Sequence, residues 1–353
     1  MNVEDKQKLD DHLKAIAEIM VRNTQKEDLK SFESIELAVR EQMLTVVSPA
    51  IGRFFCETAT GTKAGRERTV DSIIGKVKIT EKQAKKLGLE KNKQVSPYLE
   101  KCCLNIVACE SFERGEKTIK MTTGMSISKS SQHRLALGYE FQEAQGKGKI
   151  ESLSIDGGTV RIRTSVGEES IWKNYKAVSL HGQVCAAFFQ AQEELIAWTN
   201  NQPLARVVTC LGDGHDGIWN LIEKIRDKDE RREVLDWYHL VENIHKVKVS
   251  KKVKRQIETY LWQGEQDSAI KELNGSKQKE AINFINYMKK HESRMPDYGL
   301  YQDLGICIGS GSVESKIKQI GKRIQIAGAC WKSENVPQIL RLRCAYLNAL
   351  VST

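Results

Sequence analysis

The chain has 353 residues, 40% hydrophobic and 29% charged, with 55 Lys and Arg against 46 Asp and Glu and a formal net charge of +9. That is enough for about two folded domains with real cores and excludes global disorder. No apolar run reaches the ~18–20 residues of a membrane span, and the charged, amphipathic start MNVEDKQKLDDHLKAIAEIM lacks a signal-peptide core, so the expectation is a cytoplasmic protein with no membrane partner.

Leu9, Leu13, Ile16 and Ile19-Met20 recur at three-to-four spacing and predict a first helix; Phe32–Val47 predicts a second, ending before Pro49. Residues 56–96, rich in Gly, Lys and Thr, read as a connector with a short strand at Val70–Ile79. Ser96-Pro97 then opens a helix over Tyr98–Glu110, followed by Phe112–Met121 and by a helix capped by Ser126 or Ser128 that runs to about Tyr139. Helix, Gly124 turn, helix is the pattern of a helix-turn-helix offering Lys129, Ser130, Ser131, His133 and Arg134 to a groove, although a plain helical hairpin reads equally well. Gly146-Lys-Gly-Lys149 breaks the pattern. The organisation expected is therefore 1–95, a helical region and connector; 96–148, a helix-turn-helix-like DNA-binding region; and 149–353, a catalytic domain.

Beyond residue 149 the periodicity changes. Leu153–Asp156 and Thr159–Thr164 alternate around Gly157-Gly158 and predict a hairpin; Trp172–Leu180 predicts a third strand. Cys185–Thr199 predicts a helix, Arg206–Leu211 a short strand buried on both faces, Ile218–Ile225 a helix and Val234-Leu235 a strand. Leu240–Leu273 and Gln278–His291 predict long helices, and Glu314–Ile324 and Asn335–Val351 the last two.

The nine cysteines form no CxxC pair, which argues against a zinc ribbon or a disulfide framework and for reduced thiols. Basic residues cluster at Lys63–Arg68, at Lys246, Lys248, Lys251, Lys252, Lys254 and Arg255, and at Lys316, Lys318, Lys322 and Arg323. Such runs are usually solvated helix faces, but two of these flank acidic motifs and point to a polyanion partner.

Three acids stand at punctuated positions: Asp156 before Gly157-Gly158, Asp213 within Leu211-Gly-Asp-Gly-His-Asp-Gly217, and Glu314 after Ile308-Gly-Ser-Gly-Ser-Val313. Strand ends are where open α/β sheets gather ligands. Converging carboxylates there suit a hard divalent cation, and two Mg²⁺ ions (Mn²⁺ substituting) would serve in-line phosphoryl transfer. Singly, each acid has a plainer reading: turn chemistry for Asp156, a first-turn Glu for Glu314. The adjacent glycines would admit a nucleic-acid backbone. Gly212-x-Gly214-x-x-Gly217 with Asp236 beyond it also matches a dinucleotide-binding loop, but Asp213 inside it would repel a pyrophosphate and the second βα unit is missing. Asp236-Trp-Tyr-His239 sets an acid and an imidazole three residues apart, either as a proton shuttle near the strand ends or as a helix cap with a surface His. Trp237 and Trp331 read as core packing.

IDGG at 155–158, LGDGHDGIWN at 211–220, DWYH at 236–239, IGSGSVES at 308–315 and the tail Trp331…Leu340-Arg-Leu-Arg-Cys-Ala-Tyr-Leu-Asn348 together resemble bacterial insertion-sequence DDE transposases of the Kra-type group, over about residues 95–353. The resemblance implies an RNase H-like α/β catalytic core with a mixed five-stranded sheet and a helical insertion at about 240–305, preceded by an α-helical N-terminal region. It implies metal-dependent DNA cleavage and strand transfer at element ends, with Asp156, Asp213 and Glu314 as the metal-binding triad and Asp236 and His239 assisting. The partners implied are terminal inverted repeats, target DNA and a second subunit of a homo-oligomer, in the nucleoid. Members of that group carry a cysteine-rich segment between stretches like Thr69–Thr80 and Leu87–Glu90, which here nearly abut. The alternatives are a non-catalytic DNA-binding remnant and a dinucleotide-binding oxidoreductase.

Overall fold

The computed structural model describes residues 1–165, 167–309 and 311–351, the side chains of 311–315 excepted. The chain divides into two compact units, residues 1–135 and 136–353.

The first unit opens with α1 (Val3–Arg22), whose N-cap Asn2 accepts from the Asp5 N–H at 2.7 Å, and none of its residues is buried. In α2 (Phe32–Gln42) Ser31 and Ser34 cap each other reciprocally. Pro49 does not end a helix: it sits in the first turn of α3 (Ser48–Thr60), where its missing N–H costs nothing. The connector holds an antiparallel hairpin of β1 (Glu67–Ser72) and β2 (Gly75–Thr80) where a single strand was expected, then α4 (Glu81–Lys86). Next come α5 (Pro97–Val107), α6 (Phe112–Thr123) and α7 (Lys129–Gly138). Ser96, Ser111 and Ser128 each accept a backbone N–H three residues on, and Gly124 ends α6 at φ +74°. Leu99, Cys103, Ile119 and Ile127 close the core beneath these helices.

The second unit is a mixed α/β structure. Its sheet has the order β5-β4-β3-β6-β7, with β3 (Ile150–Ile162), β4 (Ile171–Leu180), β5 (Cys185–Phe189), β6 (Leu204–Gly212) and β7 (Arg231–Leu235). The first three form an antiparallel meander; β6 runs parallel to β3 and β7 parallel to β6. The crossovers are α8 (Gln192–Asn200) and α9 (Asp216–Ile222).

Two local expectations fail here. Gly157-Gly158 is not a turn: β3 runs straight through it, and the turn to β4 falls after Ile162. Cys185–Phe189 is a strand rather than the start of a helix, because its alternating buried positions pair with β4.

The stretch expected as one helix over Leu240–Leu273 is broken into α10 (Trp237–Lys246), α11 (Lys251–Trp262) and α12 (Gln266–Lys271), whereas Gln278–His291 forms α13 (Lys279–Lys290) as expected, followed by α14 (Tyr298–Asp303). Ser250 caps α11 and Gly264, at φ +73°, follows its end. This block shares the sheet's core: Ile257, Leu261, Phe284, Met288 and Tyr298 pack in one cluster with Leu153, Leu211 and Trp219. The last helices are α15 (Gly311–Ile324) and α16 (Val336–Leu347). All nine cysteines are free thiols, Cys109 and Cys330 exposed. Among the described residues no helix is long and apolar enough to cross a membrane.

Candidate active site

β3, β6 and β7 end their shared pairing side by side, and a small pocket forms there, lined by Ser154, Asp156, Asp213, Asp236, His239 and Ile317 among others. Its volume of about 20 Å³ suits a water or a small ion, not an organic cofactor. Asp156 comes from the middle of β3, just past the last residue of that strand paired with β6. Asp213 follows the end of β6, and Asp236 follows β7, where its N–H donates to the Gly212 carbonyl at 2.9 Å.

Each carboxylate is held by local backbone. Asp156 Oδ1 accepts from the Gly157 N–H at 2.6 Å, and Asp213 Oδ1 from the His215 N–H at 2.9 Å. Asp236, almost fully buried, caps α10 by accepting from the Tyr238 and His239 N–H groups at 2.8 and 3.2 Å. The cap reading of DWYH is thus what Asp236 does, while His239 lines the pocket with its Nδ1 3.6 Å from Glu242.

Burial pushes the Asp156 carboxyl above its ordinary value; the Gly157 N–H opposes this, Asp213 adds to it, and His239 and Lys176 oppose it. The pair therefore repel across a small polar space. That donor set, two carboxylates on neighbouring strands, fits a hard divalent cation. Among the described residues no group of three or more His, Cys, Asp or Glu is arranged to hold a metal. Glu314 lies in the first turn of α15, one turn before the pocket residue Ile317, and its side chain falls outside the described residues. The segment leading to α15 is hooked onto DWYH: the Trp237 N–H donates to the Ile308 carbonyl at 3.0 Å, and a Cβ on Gly309 would stand 2.7 Å from the Tyr238 ring.

The glycines serve packing rather than a ligand's approach. A Cβ at Gly158 would meet the Tyr175 ring at 2.8 Å, at Gly212 the Trp219 ring at 2.9 Å, and at Gly214 the Tyr287 hydroxyl at 2.5 Å. With aromatic rings filling the 212–217 loop, the space a pyrophosphate would need beneath it is occupied, which argues against the dinucleotide reading.

Tyr287 is the residue that sequence reasoning missed. Its hydroxyl donates to the Asp213 carbonyl, and its ring stands edge-on to that of fully buried His291, which in turn packs near Trp219. The only signal was an aromatic and a His at i and i+4 on a predicted helix. Lys176 and Tyr175 were missed too; burial and the charge of Asp156 push the Tyr175 hydroxyl up to about 12.

The basic residues divide by environment. Lys251, Lys252 and Arg255 on α11, Lys318 and Lys322 on α15, and Lys129 and Arg134 on α7 are exposed. Lys246 donates to Asn243, Lys248 pairs with Glu280 at 2.9 Å, Lys254 donates to the His245 carbonyl, and Lys316 to that of Gln183. Arg323 is corrected: it is 2% exposed, its guanidinium over the Trp331 ring at 5.1 Å, where it cannot meet a DNA phosphate. Trp237 and Trp331 are both buried.

Compared with known proteins, the chain matches no protein-family model and no curated protein.

Proposed function

We propose that the chain is a DDE-type DNA transposase built on an RNase H-like core, cutting and joining DNA at the ends of an insertion sequence. The observation that carries this reading is the shared pocket of Asp156, Asp213, Asp236 and His239, drawn from the middle of β3 and the ends of β6 and β7, with the helix of Glu314 entering beside it. The sheet order, an antiparallel meander followed by two parallel strands through helical crossovers, is the order the resemblance calls for.

Asp156 and Asp213 would hold Mg²⁺, with Glu314 completing the set. When bound, the cation supplies activation of the attacking oxygen and neutralises charge at the phosphate. The chain's own residues do the rest. Asp236 fixes the start of α10 and with it His239, whose imidazole stands ready to carry a proton at the pocket. Tyr287 holds the Asp213 loop in place. The exposed lysines of α11 and α15 neutralise phosphates flanking the site, and a second copy of the chain completes the end-joining assembly.

The test is cleavage of supercoiled and element-end DNA by the full chain with Mg²⁺ or Mn²⁺. Wild-type cleavage that falls at least about a hundredfold in Asp213→Asn supports the reading. Cleavage unchanged in that variant, or salt-sensitive binding with no cleavage under either metal, overturns it, the latter in favour of a non-catalytic DNA-binding protein.

A further inference from the structure

Beyond the pocket the sheet carries a face that the catalytic reading leaves unused. β3 pairs with β6 only from Ile150 to Ser154, but with β4 as far as Ile162 opposite Ile171. The outer half of the β3–β4 ribbon therefore runs on past the end of β6. Residues directly opposite in an antiparallel pair share a face. One face of this half carries Gly158 with Tyr175 and Val160 with Lys173; Tyr175 and Val160 are buried. The other carries Gly157 with Lys176, Thr159 with Asn174, and Arg161 with Trp172.

That second face is open. Trp172 is 59% exposed, and Thr159, Arg161 and Asn174 are exposed with it. No acid lies among its six residues. Among the described residues no ion pair engages Arg161 or Lys176, and Arg161 Nε donates to the Ser170 hydroxyl at 2.8 Å. A groove of about 750 Å³ runs between this face and the start of α8, with Trp172, Asn174, Lys176, Phe188, Gln190 and Gln192 in its lining. Glu193 and Glu194 stand on its far wall, Glu193 paired with Lys224 at 2.9 Å.

We propose that this face is a track for single-stranded DNA. The chemistry selects that occupant. An exposed indole offers a stacking platform to a base, and two cations on the same face, Arg161 directly opposite it and Lys176 two rungs along that face, offer contacts to phosphates. A duplex would keep its base faces hidden from Trp172, whereas an unpaired strand presents them. Side chains alternate along β3, so Asp156 lies on the opposite face of the sheet from the track, although the charge of Lys176 acts on it. The track's affinity for single strands does not rest on the transposase reading.

The experiment is fluorescence anisotropy of the full chain with fluorescein-labelled oligo(dT), in EDTA so that no catalytic cation is needed. Trp172→Ala should bind on the order of tenfold more weakly, and Trp172→Phe close to wild type. Arg161→Ala and Lys176→Ala should each reduce the log–log salt slope by about 0.7. Wild-type chain that ignores oligo(dT), or Trp172→Ala and Lys176→Ala that bind it like wild type, overturns the track. If Trp172→Ala fails to fold by circular dichroism, Trp172→Phe with the Arg161 and Lys176 slopes decides. Cleavage separates the two claims: loss in Asp213→Asn with unaltered Trp172→Ala binding sinks the track alone. Weak Trp172→Ala binding with cleavage untouched in Asp213→Asn sinks the catalytic reading and leaves the track.

Discussion

The Tyr287 hydroxyl donates to the Asp213 carbonyl oxygen at 3.1 Å, tying a helix to a strand end 74 positions earlier in the chain. The helical block between β7 and α15 is therefore part of the site's support. Tyr287→Phe should leave the fold intact at a cost of about 1 kcal/mol and reduce the rise in melting temperature that the proposed Mg²⁺ site is expected to give. Gly214→Ala should be worse, because its φ is +94° and its Cβ would strike the same hydroxyl; a loss above about 1 kcal/mol is expected. Thermal melts of both variants with and without Mg²⁺ check this, and an undiminished Mg²⁺ response in both would falsify Tyr287 as a support for Asp213.

Asp156 gives a pH and metal expectation whose sign is fixed. Burial first, and Asp213 after it, hold its carboxyl above the ordinary value. The native state then keeps more protons than the unfolded one between those two values, so stability falls as pH rises through that window. Asp156→Asn lacks the charge. It should melt higher than wild type at pH 7 in EDTA and should lose the Mg²⁺-dependent rise. A variant that melts lower in EDTA and still responds to Mg²⁺ would refute the paired-carboxylate arrangement.

Three acids of the pocket carry sequence punctuation: a strand end marks Asp213 and Asp236, and an adjacent glycine pair marks Asp156, although that pair lies mid-strand rather than at a strand end. Strands at β4, β6 and β7 were legible too, but the meander was not, since β3 read as a hairpin and β5 as part of a helix. What failed was local and has a common cause. Gly157-Gly158 has the composition of a turn, yet there the glycines relieve crowding from Tyr175 and Lys176 on the neighbouring strand, a tertiary demand no window of β3 contains. Cys185–Phe189 lacks polar alternation because it packs against α16, whose Asn348 side chain takes the Cys185 N–H at 2.9 Å from 163 positions away. Arg323 looked like its neighbours Lys318 and Lys322; only the fold shows Trp331 beneath it.

One half-buried and one buried histidine shape the acid limb of stability. His181 is brought down to about 4, burial outweighing the pull of Asp236, and His291 is lowered by burial and by Arg294 and Lys290. Both are lowered in the fold, so the unfolded chain binds more protons than the native one below pH ~6.5 and stability rises with pH up to that value. Each group contributes a slope of at most about 1.4 kcal/mol per pH unit. His291→Phe keeps a ring between Trp219 and Tyr287 but removes one titration. Urea unfolding from pH 4.5 to 7 should show its slope flattened relative to wild type, with little change at pH 7; an identical slope would mean that His291 titrates in the fold as it does in the unfolded chain.

Charge alone does not identify a DNA contact in this chain, and one comparison separates its two kinds of basic residue. Arg323 is buried over Trp331, so Arg323→Ala should lower stability by on the order of 2–3 kcal/mol and leave the salt slope of duplex binding unchanged. Lys251 and Lys252 are exposed at the start of α11 and should do the reverse. Removing both would leave the melting temperature within error and reduce the slope by about 0.9 for each phosphate no longer neutralised. Lys248 falls between them, because Glu280 already holds its ammonium and the pair must part before a phosphate can take it. Titrations from low to moderate salt distinguish the three. Equal slopes for wild type and the Lys251/Lys252 double variant would mean that DNA does not lie on α11, and the phosphates would then have to be met by Lys318 and Lys322 on α15 or by the β3–β4 face.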